Sequence, residues 1–107
     1  MSPGSDHREY STAVEGGAPV QLRFTIEGRL DTVGYLAFVA DRASWLDLDG
    51  WVEARADGVV ELVAAGPEAL VGALEMACTL GPLDALVARI EAVNEPGHVA
   101  AGFEVRP

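Results

Sequence analysis

The stretch GRLDTVGYLAFV, residues 28–39, is where residue types and spacing point to chemistry. Two glycines and a threonine stand between an alternating apolar segment and a helical apolar pattern. A loop of this composition that leads into a helix can present backbone N–H groups to an anion. From Leu30 to Val39, however, the stretch contains no Arg, Lys or His, and it carries Asp31. It therefore resembles a phosphate cradle that lacks positive charge.

The elements on either side of this stretch follow from the spacing of apolar residues. Four apolar residues alternate with polar ones before the loop: Val20, Leu22, Phe24 and Ile26. This alternation predicts a half-buried strand. Beyond the loop, one stripe with helical spacing predicts a helix, and its members are Tyr35, Phe38, Val39, Arg42, Ala43 and Leu46. Asp31 or Thr32 can supply the oxygen that caps this helix.

The rest of the chain continues the alternation of strands and helices. Residues 50–64 predict a hairpin, with strands near 51–55 and 59–64 and a two-residue turn at Asp57-Gly58. Residues 66–82 predict a helix that opens at Gly66-Pro67 and ends at Gly81-Pro82. A fourth strand follows at 84–93, then a turn at 95–97 and a short last strand at 102–106.

This order, βαββαβ with a short fifth strand, predicts an α+β fold. Right-handed crossovers place both helices on one face of an antiparallel sheet, which is the ferredoxin-like α/β sandwich. With 107 residues, a single domain is expected. Residues 1–18 show no periodicity and predict a flexible N-terminal tail, so the folded domain is expected at 19–107.

Composition narrows the range of ligands. All seven basic residues are Arg, and against seventeen acidic residues they give a net charge of −10. Such a chain is unsuited to nucleic acids and anionic membranes, which need clustered positive charge. The first twenty residues contain no apolar leader, and no apolar run approaches the roughly 20 residues that span a membrane. We therefore expect a cytoplasmic protein, and the Arg-only usage is typical of a GC-rich bacterium.

The residues most often used as nucleophiles or metal ligands are few. Cys78 is the only cysteine and lies at an apolar helical position, which predicts a core residue and excludes an internal disulfide. His7 falls in the predicted tail and His98 in a turn, and neither has a neighbour that would complete a metal set or a nucleophile–base pair. We therefore expect neither a metal nor a cofactor.

From about Val20 to Arg106 the chain resembles the acylphosphatases. Residues 28–36, Gly-Arg-Leu-Asp-Thr-Val-Gly-Tyr-Leu, lie over the family pattern Gly-Arg-Val-Gln-Gly-Val-Gly-Phe-Arg. Gly50-Trp51-Val52, Asp57-Gly58 and Gly81-Pro82 match further family positions in order and spacing. The resemblance implies a ferredoxin-like fold and the hydrolysis of acyl phosphates to a carboxylate and phosphate, with no metal or cofactor.

The resemblance also identifies the positions that carry catalysis. In the family, loop amides and the last Arg of the loop pattern bind the phosphoryl group, and an Asn two residues after Gly-Trp-Val positions the attacking water. These positions are Leu36 and Ala54 in this chain. The equivalent of the phosphate loop comprises Leu30, Asp31, Thr32, Val33, Gly34, Tyr35 and Leu36. Asp31 replaces Gln and adds a negative charge, while Thr32 replaces Gly and restricts the backbone.

We therefore expect a domain without acyl phosphate hydrolase activity, acting as a binding or regulatory module. The alternative is an active acylphosphatase with rearranged catalytic groups, in which Arg29 or Arg55 substitutes for the missing Arg. Arg23 is not among these candidates, because it is expected one strand face away from the loop. A third possibility is an enzyme of different chemistry on the same loop, but no Ser–His–Asp, Cys–His or metal-binding set supports it. Several carboxylates are candidates for a cluster, although an acidic surface is the simpler interpretation of these acids. The candidate acids are Asp31, Asp47, Asp49 and Glu53.

The partner is expected to be a protein or a small molecule, and the chain a monomer or a weak homodimer. One candidate surface is the sheet face away from the helices. Three apolar residues could share exposure with two acids there; they are Trp51, Val59 and Val63, beside Glu53 and Glu61. We favour the simpler interpretation that Trp51 packs locally over the loop and hairpin.

Overall fold

The computed structural model describes residues 17–107. Seven elements follow one another along the chain: β1 (Pro19–Arg29), α1 (Thr32–Trp45), β2 (Asp49–Ala54), β3 (Val60–Pro67), α2 (Glu68–Leu80), β4 (Leu86–Asn94) and β5 (Phe103–Val105). Each corresponds to a predicted element, with ends shifted by a few residues. Most of the predicted tail, including His7, lies outside the described residues.

The five strands form one sheet in the order β4-β1-β3-β2-β5. The first four pair antiparallel, whereas β5 pairs parallel to β2, with Gly50 opposite Phe103. The ferredoxin-like sandwich is confirmed, but the sheet is mixed rather than antiparallel. The reason is geometric: β4 ends at the end of the sheet where β2 begins. A strand added beside β2 after the chain crosses that end must run in the same direction as β2.

Both helices cover one face of this sheet and contact each other. α1 packs on β2 and β5, and α2 packs on β1, β3 and β4. Of the predicted α1 stripe, Tyr35, Val39 and Ala43 are buried in the core. Arg42 is exposed and lies over the ring of Phe38, 5.2 Å from its centroid, so including it in the buried stripe was wrong.

A turn and a close strand contact explain two glycines that the sequence singled out. The Asp57-Gly58 hairpin is confirmed, but its turn has three residues, 56–58, rather than two. The Arg55 N–H donates to the carbonyl of Val59 (2.8 Å), so these two residues still pair across the turn. Gly58 adopts a φ of 86°, which favours glycine. At Gly28, a Cβ would come within 2.1 Å of the Leu86 carbonyl oxygen. Close approach of β4 therefore requires this glycine, with no ligand involved.

Cys78 is a free, buried residue of the core, as predicted. Its carbonyl accepts a 2.6 Å hydrogen bond from the Tyr35 hydroxyl, which joins α2 to α1. Burial raises the pKa of the Cys78 thiol to about 12. The thiol is therefore protonated at neutral pH and is not poised as a nucleophile.

Candidate functional site

Leu36 and Ala54 lie on different elements but line the same cleft. Leu36 is the fifth residue of α1 and Ala54 is the last residue of β2, and both are half-buried. The cleft has a volume of about 330 Å³, and it is completed by Val33, Ala37, Val105, Arg106 and Pro107. It forms because α1 packs across β2 and β5 at this end of the sheet.

The side chains around this cleft are almost entirely hydrocarbon. Apart from Arg106, every lining residue has a side chain without a polar atom. Sequence reasoning singled out Val33, Leu36 and Ala54 but missed Ala37 and the whole contribution of β5 and the residues after it. Alternation in GFEVR places Phe103 and Val105 on one side of a strand. Only the parallel pairing with β2 brings Val105 to the cleft.

Arg106 borders the cleft, but its charged end is held elsewhere. The guanidinium carbon lies 4.0 Å from the ring centroid of Trp51. Its nitrogens lie 4.0 Å from a carboxylate oxygen of Glu53 and 3.8 Å from one of Glu104. Because Trp51 and Glu53 alternate with Ala54 along β2, these partners lie on the opposite face of the sheet from Ala54. Among residues 17–107, Arg106 is the only cation that lines this cleft, and its charge is therefore held on the face of the sheet without helices.

The segment expected to be a loop is mostly helix. α1 begins at Thr32, so only Leu30 and Asp31 separate it from β1. Within the helix, the Tyr35 N–H donates to the carbonyl of Asp31 (2.8 Å), and later amides bond along the axis. Only the amides of the N-cap and the first three helical residues are left free for an anion.

Asp31 occupies the N-cap position of α1, as predicted, but its side chain makes no capping hydrogen bond. Its carboxylate lies against the first turn, with Oδ2 3.0 Å from where a Cβ on Gly34 would lie. The positive end of the helix dipole favours a negative group in this place. An approaching phosphate would therefore meet a carboxylate at the amides that it needs.

The arginines that could restore a positive charge point away from the cleft or pair with acids. Arg23 donates to both carboxylate oxygens of Glu95, at 2.9 and 3.0 Å. These hydrogen bonds raise the pKa of Arg23 and lower the pKa of Glu95. Arg55 lies beyond β2 and donates to Asp57 (2.9 Å). Arg29 is exposed at the end of β1 and does not line the cleft.

The sheet face without helices carries no exposed tryptophan patch. Trp51 is 8% exposed and lies between two guanidinium groups, with Arg23 5.3 Å and Arg106 4.0 Å from its ring centroid. Val63 is fully buried. The local-packing interpretation of Trp51 is thus confirmed, although arginines rather than the loop and hairpin cover the ring. The apolar interaction patch considered for this face is wrong.

The candidate acids do not form one cluster. Asp49 accepts a hydrogen bond from the Gly102 N–H (2.8 Å), Glu53 lies beside Arg106, and Asp47 is in the turn after α1 with a φ of 58°. Within residues 17–107, no three His, Cys, Asp or Glu side chains are grouped so that they could hold a metal ion. His98 is exposed in the connection before β5. No helix in this part of the chain has the length and apolarity to cross a membrane.

The fold and the position of this cleft agree with the comparison to known families. The family model for acylphosphatase matches residues 22–105, which include both helices and all of the sheet except the first residues of β1. The chain belongs to the acylphosphatase family. Its cleft lies beside the start of α1 and the end of β2, the two places where the acylphosphatase pattern has its phosphate-binding Arg and its Asn.

Individual acylphosphatases are similar to the chain over most of their length. An acylphosphatase of Rhodopseudomonas palustris is 44% identical over 77 residues, which cover 72% of this chain and 76% of that protein. One of Rhizorhabdus wittichii is 40% identical over 88 residues, covering 82% and 89%. The crystal structure of acylphosphatase from Bacillus subtilis superimposes with a TM-score of 0.76 at 30% identity, covering 82% of this chain and 99% of that one.

Proposed function

We propose that this chain is a non-catalytic member of the acylphosphatase family and acts as a binding or regulatory module. One observation carries the proposal: Leu36 and Ala54 meet in a single cleft and present only hydrocarbon to it. The resemblance assigns to these positions the groups that bind the phosphoryl oxygens and orient water. Neither task can be performed by a side chain without a hydrogen-bonding atom.

The sizes of the missing interactions support this proposal. A charged hydrogen bond to an anion contributes about 1.5–3 kcal/mol, and more when it is bidentate and shielded from water. Loss of a donor that stabilises the transition state typically costs ~10²–10³ in rate. The carboxylate of Asp31 adds repulsion on the order of 1–4 kcal/mol if a phosphate oxygen comes within about 4 Å. These effects act in the same direction.

The second candidate is an active acylphosphatase with rearranged catalytic groups. The similarity to proteins named acylphosphatase favours it. It requires Arg29, Arg55 or Arg106 to turn toward the phosphate. Arg106 would have to leave Trp51 and Glu53, and Arg55 would have to leave Asp57. We rank it second because the side chains in place at the cleft offer nothing to the phosphoryl group.

Hydrolysis of benzoyl phosphate tests the proposal directly. The purified chain should hydrolyse it no faster than buffer, under conditions in which the Rhodopseudomonas palustris acylphosphatase serves as the positive control. Hydrolysis above buffer that is lost in Arg29→Ala, Arg55→Ala or Arg106→Ala would establish the rearranged enzyme instead. Hydrolysis that survives all three substitutions would refute our account of this cleft.

Phosphate binding gives a second test that does not depend on turnover. Millimolar inorganic phosphate should leave the backbone amides of residues 31–36 unchanged in an NMR titration, because Asp31 lies against the first turn of α1. Saturable shifts confined to these amides would show that the cradle still works. The variant Asp31→Asn provides the matched comparison, since it removes the charge and leaves the size of the side chain nearly unchanged.

The remaining features of the proposal concern setting and partners. We propose a cytoplasmic protein that is a monomer or a weak homodimer and needs no cofactor. A protein or small molecule is the intended partner rather than nucleic acid or an anionic membrane, because the net charge of −10 repels polyanions.

A further inference from the structure

The apolar cleft has an exposed rim. Val33, in the first turn of α1, is 80% exposed, and Val105, in β5, is 45% exposed. Single exposed valines are common on protein surfaces. Here, however, they flank a concave surface that continues through Leu36, Ala37 and Ala54 without a polar side chain. A concave apolar surface of this kind is a typical position for the anchor residue of a binding partner.

The surroundings of the cleft are acidic. Asp31 lies immediately before α1, the helix that forms one wall of the cleft. Asp41 lies one helical turn after Ala37, on the adjacent surface of the same helix. Both aspartates are exposed. On the β5 side, Glu53 and Glu104 lie beside the guanidinium of Arg106 on the opposite face of the sheet, where they offset its positive charge. The α1 side of the cleft thus carries two exposed carboxylates, in a chain with a net charge of −10. Their field disfavours an anionic ligand and favours a cationic one.

We infer that the cleft is the docking site for a protein segment that inserts one aliphatic side chain and carries Lys or Arg on either side of it. This inference rests on the proposed function, since it assigns the former catalytic position to binding. The aliphatic side chain would lie on Leu36, Ala54 and Val105. The flanking positive charges would lie near Asp31, just before α1, and near Asp41 on α1.

The composition of the cleft favours a peptide segment over a small molecule. Small-molecule sites combine an apolar lining with a few placed polar groups that fix the orientation of the ligand. The side chains of this cleft supply no such group apart from Arg106, whose charge is held on the opposite face. A peptide brings its own charged neighbours at a fixed distance from the anchor. It can therefore use carboxylates that lie outside the cleft.

Short blocked peptides provide the probe. The test peptide has leucine at its centre with lysine on both sides, and two comparison peptides replace the leucine by serine or the lysines by glutamate. We expect the leucine–lysine peptide to shift the amides of residues 33–37, Ala54 and Val105 saturably in an NMR titration of the full chain. Binding of the serine peptide should be at least about tenfold weaker, because burial of a leucine contributes about 1.5–3 kcal/mol.

Two matched pairs of variants locate the binding on the protein. Val33→Ser should weaken binding about threefold, whereas Val93→Ser, on the opposite edge strand and 57% exposed, should leave it unchanged. Asp41→Asn should weaken binding about twofold at low salt, whereas Asp84→Asn, in the connection before β4, should not. All four positions are exposed, so these variants are expected to fold.

The inference is overturned if the leucine–lysine peptide causes no saturable shifts at the cleft, or if the glutamate peptide binds as well. Equal effects of Val33→Ser and Val93→Ser would also overturn it. These outcomes can be separated from failure of the proposed function, because that failure appears as hydrolysis of benzoyl phosphate by the unmodified chain. A chain that neither hydrolyses the substrate nor binds the peptide refutes the docking site alone.

Discussion

Replacing Leu36 by Arg and Ala54 by Asn would place a guanidinium and an amide in the apolar cleft. Both positions are half-buried and line the same cleft, so the two new groups could approach one bound phosphate. The stem of the new arginine could lie along Val33 and Val105, in the place of the leucine side chain. We therefore expect the double variant to gain acyl phosphate hydrolysis.

The gain can be estimated from the interactions that are introduced. The guanidinium contributes about 1.5–3 kcal/mol of phosphate binding, which is a factor of roughly 10 to 150. A positioned water contributes ~10²–10³ in rate. Asp31 opposes both by on the order of 1–4 kcal/mol, depending on the local dielectric. With Asp31 opposing by about tenfold, we expect a net increase of about 10²–10⁴ over the unmodified chain, and a further increase of about tenfold when Asp31→Gln is added.

The assay is release of phosphate from benzoyl phosphate, corrected for hydrolysis in buffer. Neither single variant should suffice, since one supplies only binding and the other only the orientation of water. Val93→Arg combined with Ala54→Asn is the matched control, because it adds the same groups but places the arginine at an exposed position on the opposite edge strand. A control as active as the Leu36→Arg double variant would refute our placement of the phosphate, as would a single variant that matches the double.

Three further predictions concern the scaffold. Gly28→Ala should lower the free energy of unfolding in urea by at least about 2 kcal/mol, because the new Cβ would collide with the backbone of β4. Gly72→Ala, on open helix surface, should instead raise the free energy of unfolding by about 0.5–1 kcal/mol. Equal effects of the two substitutions would contradict the close approach of β4. Burial raises the pKa of Cys78 from 9.0 to about 12, so the unfolded chain loses this proton first and the free energy of unfolding should fall from pH 9 toward pH 12. Cys78→Ala should flatten the start of that decline, and an unchanged slope would contradict the burial. Arg106→Ala should lower the free energy of unfolding by about 0.5–1 kcal/mol, because the Trp51 ring loses the closer of its two guanidinium groups. The same substitution should move the NMR resonance of the Trp51 indole N–H. A resonance that does not move would show that Arg106 does not cover the ring in solution.

Local patterns in the sequence determined the elements of the fold and their order. Period-two alternation identified β1, and helical spacing identified α1, because side-chain direction depends only on backbone geometry. The turn at Asp57-Gly58 was predictable because a positive φ favours glycine. The core position of Cys78 followed from its apolar helical surroundings. The family could also be identified from the sequence, because its pattern consists of short segments at fixed spacing, such as residues 28–36 and Gly50-Trp51-Val52.

The tertiary structure decided the properties of the site. The sequence placed Leu36 and Ala54 at two key positions, but only packing of α1 across β2 and β5 makes them one cleft. The contribution of Val105 depends on the parallel pairing of β5 with β2. The cover over Trp51 depends on strand register, which brings arginines from β1 and from the segment after β5 to one ring. Alternation in a single strand gives the face on which a side chain lies but not its cross-strand neighbour, because pairing and register depend on contacts between segments far apart in the chain.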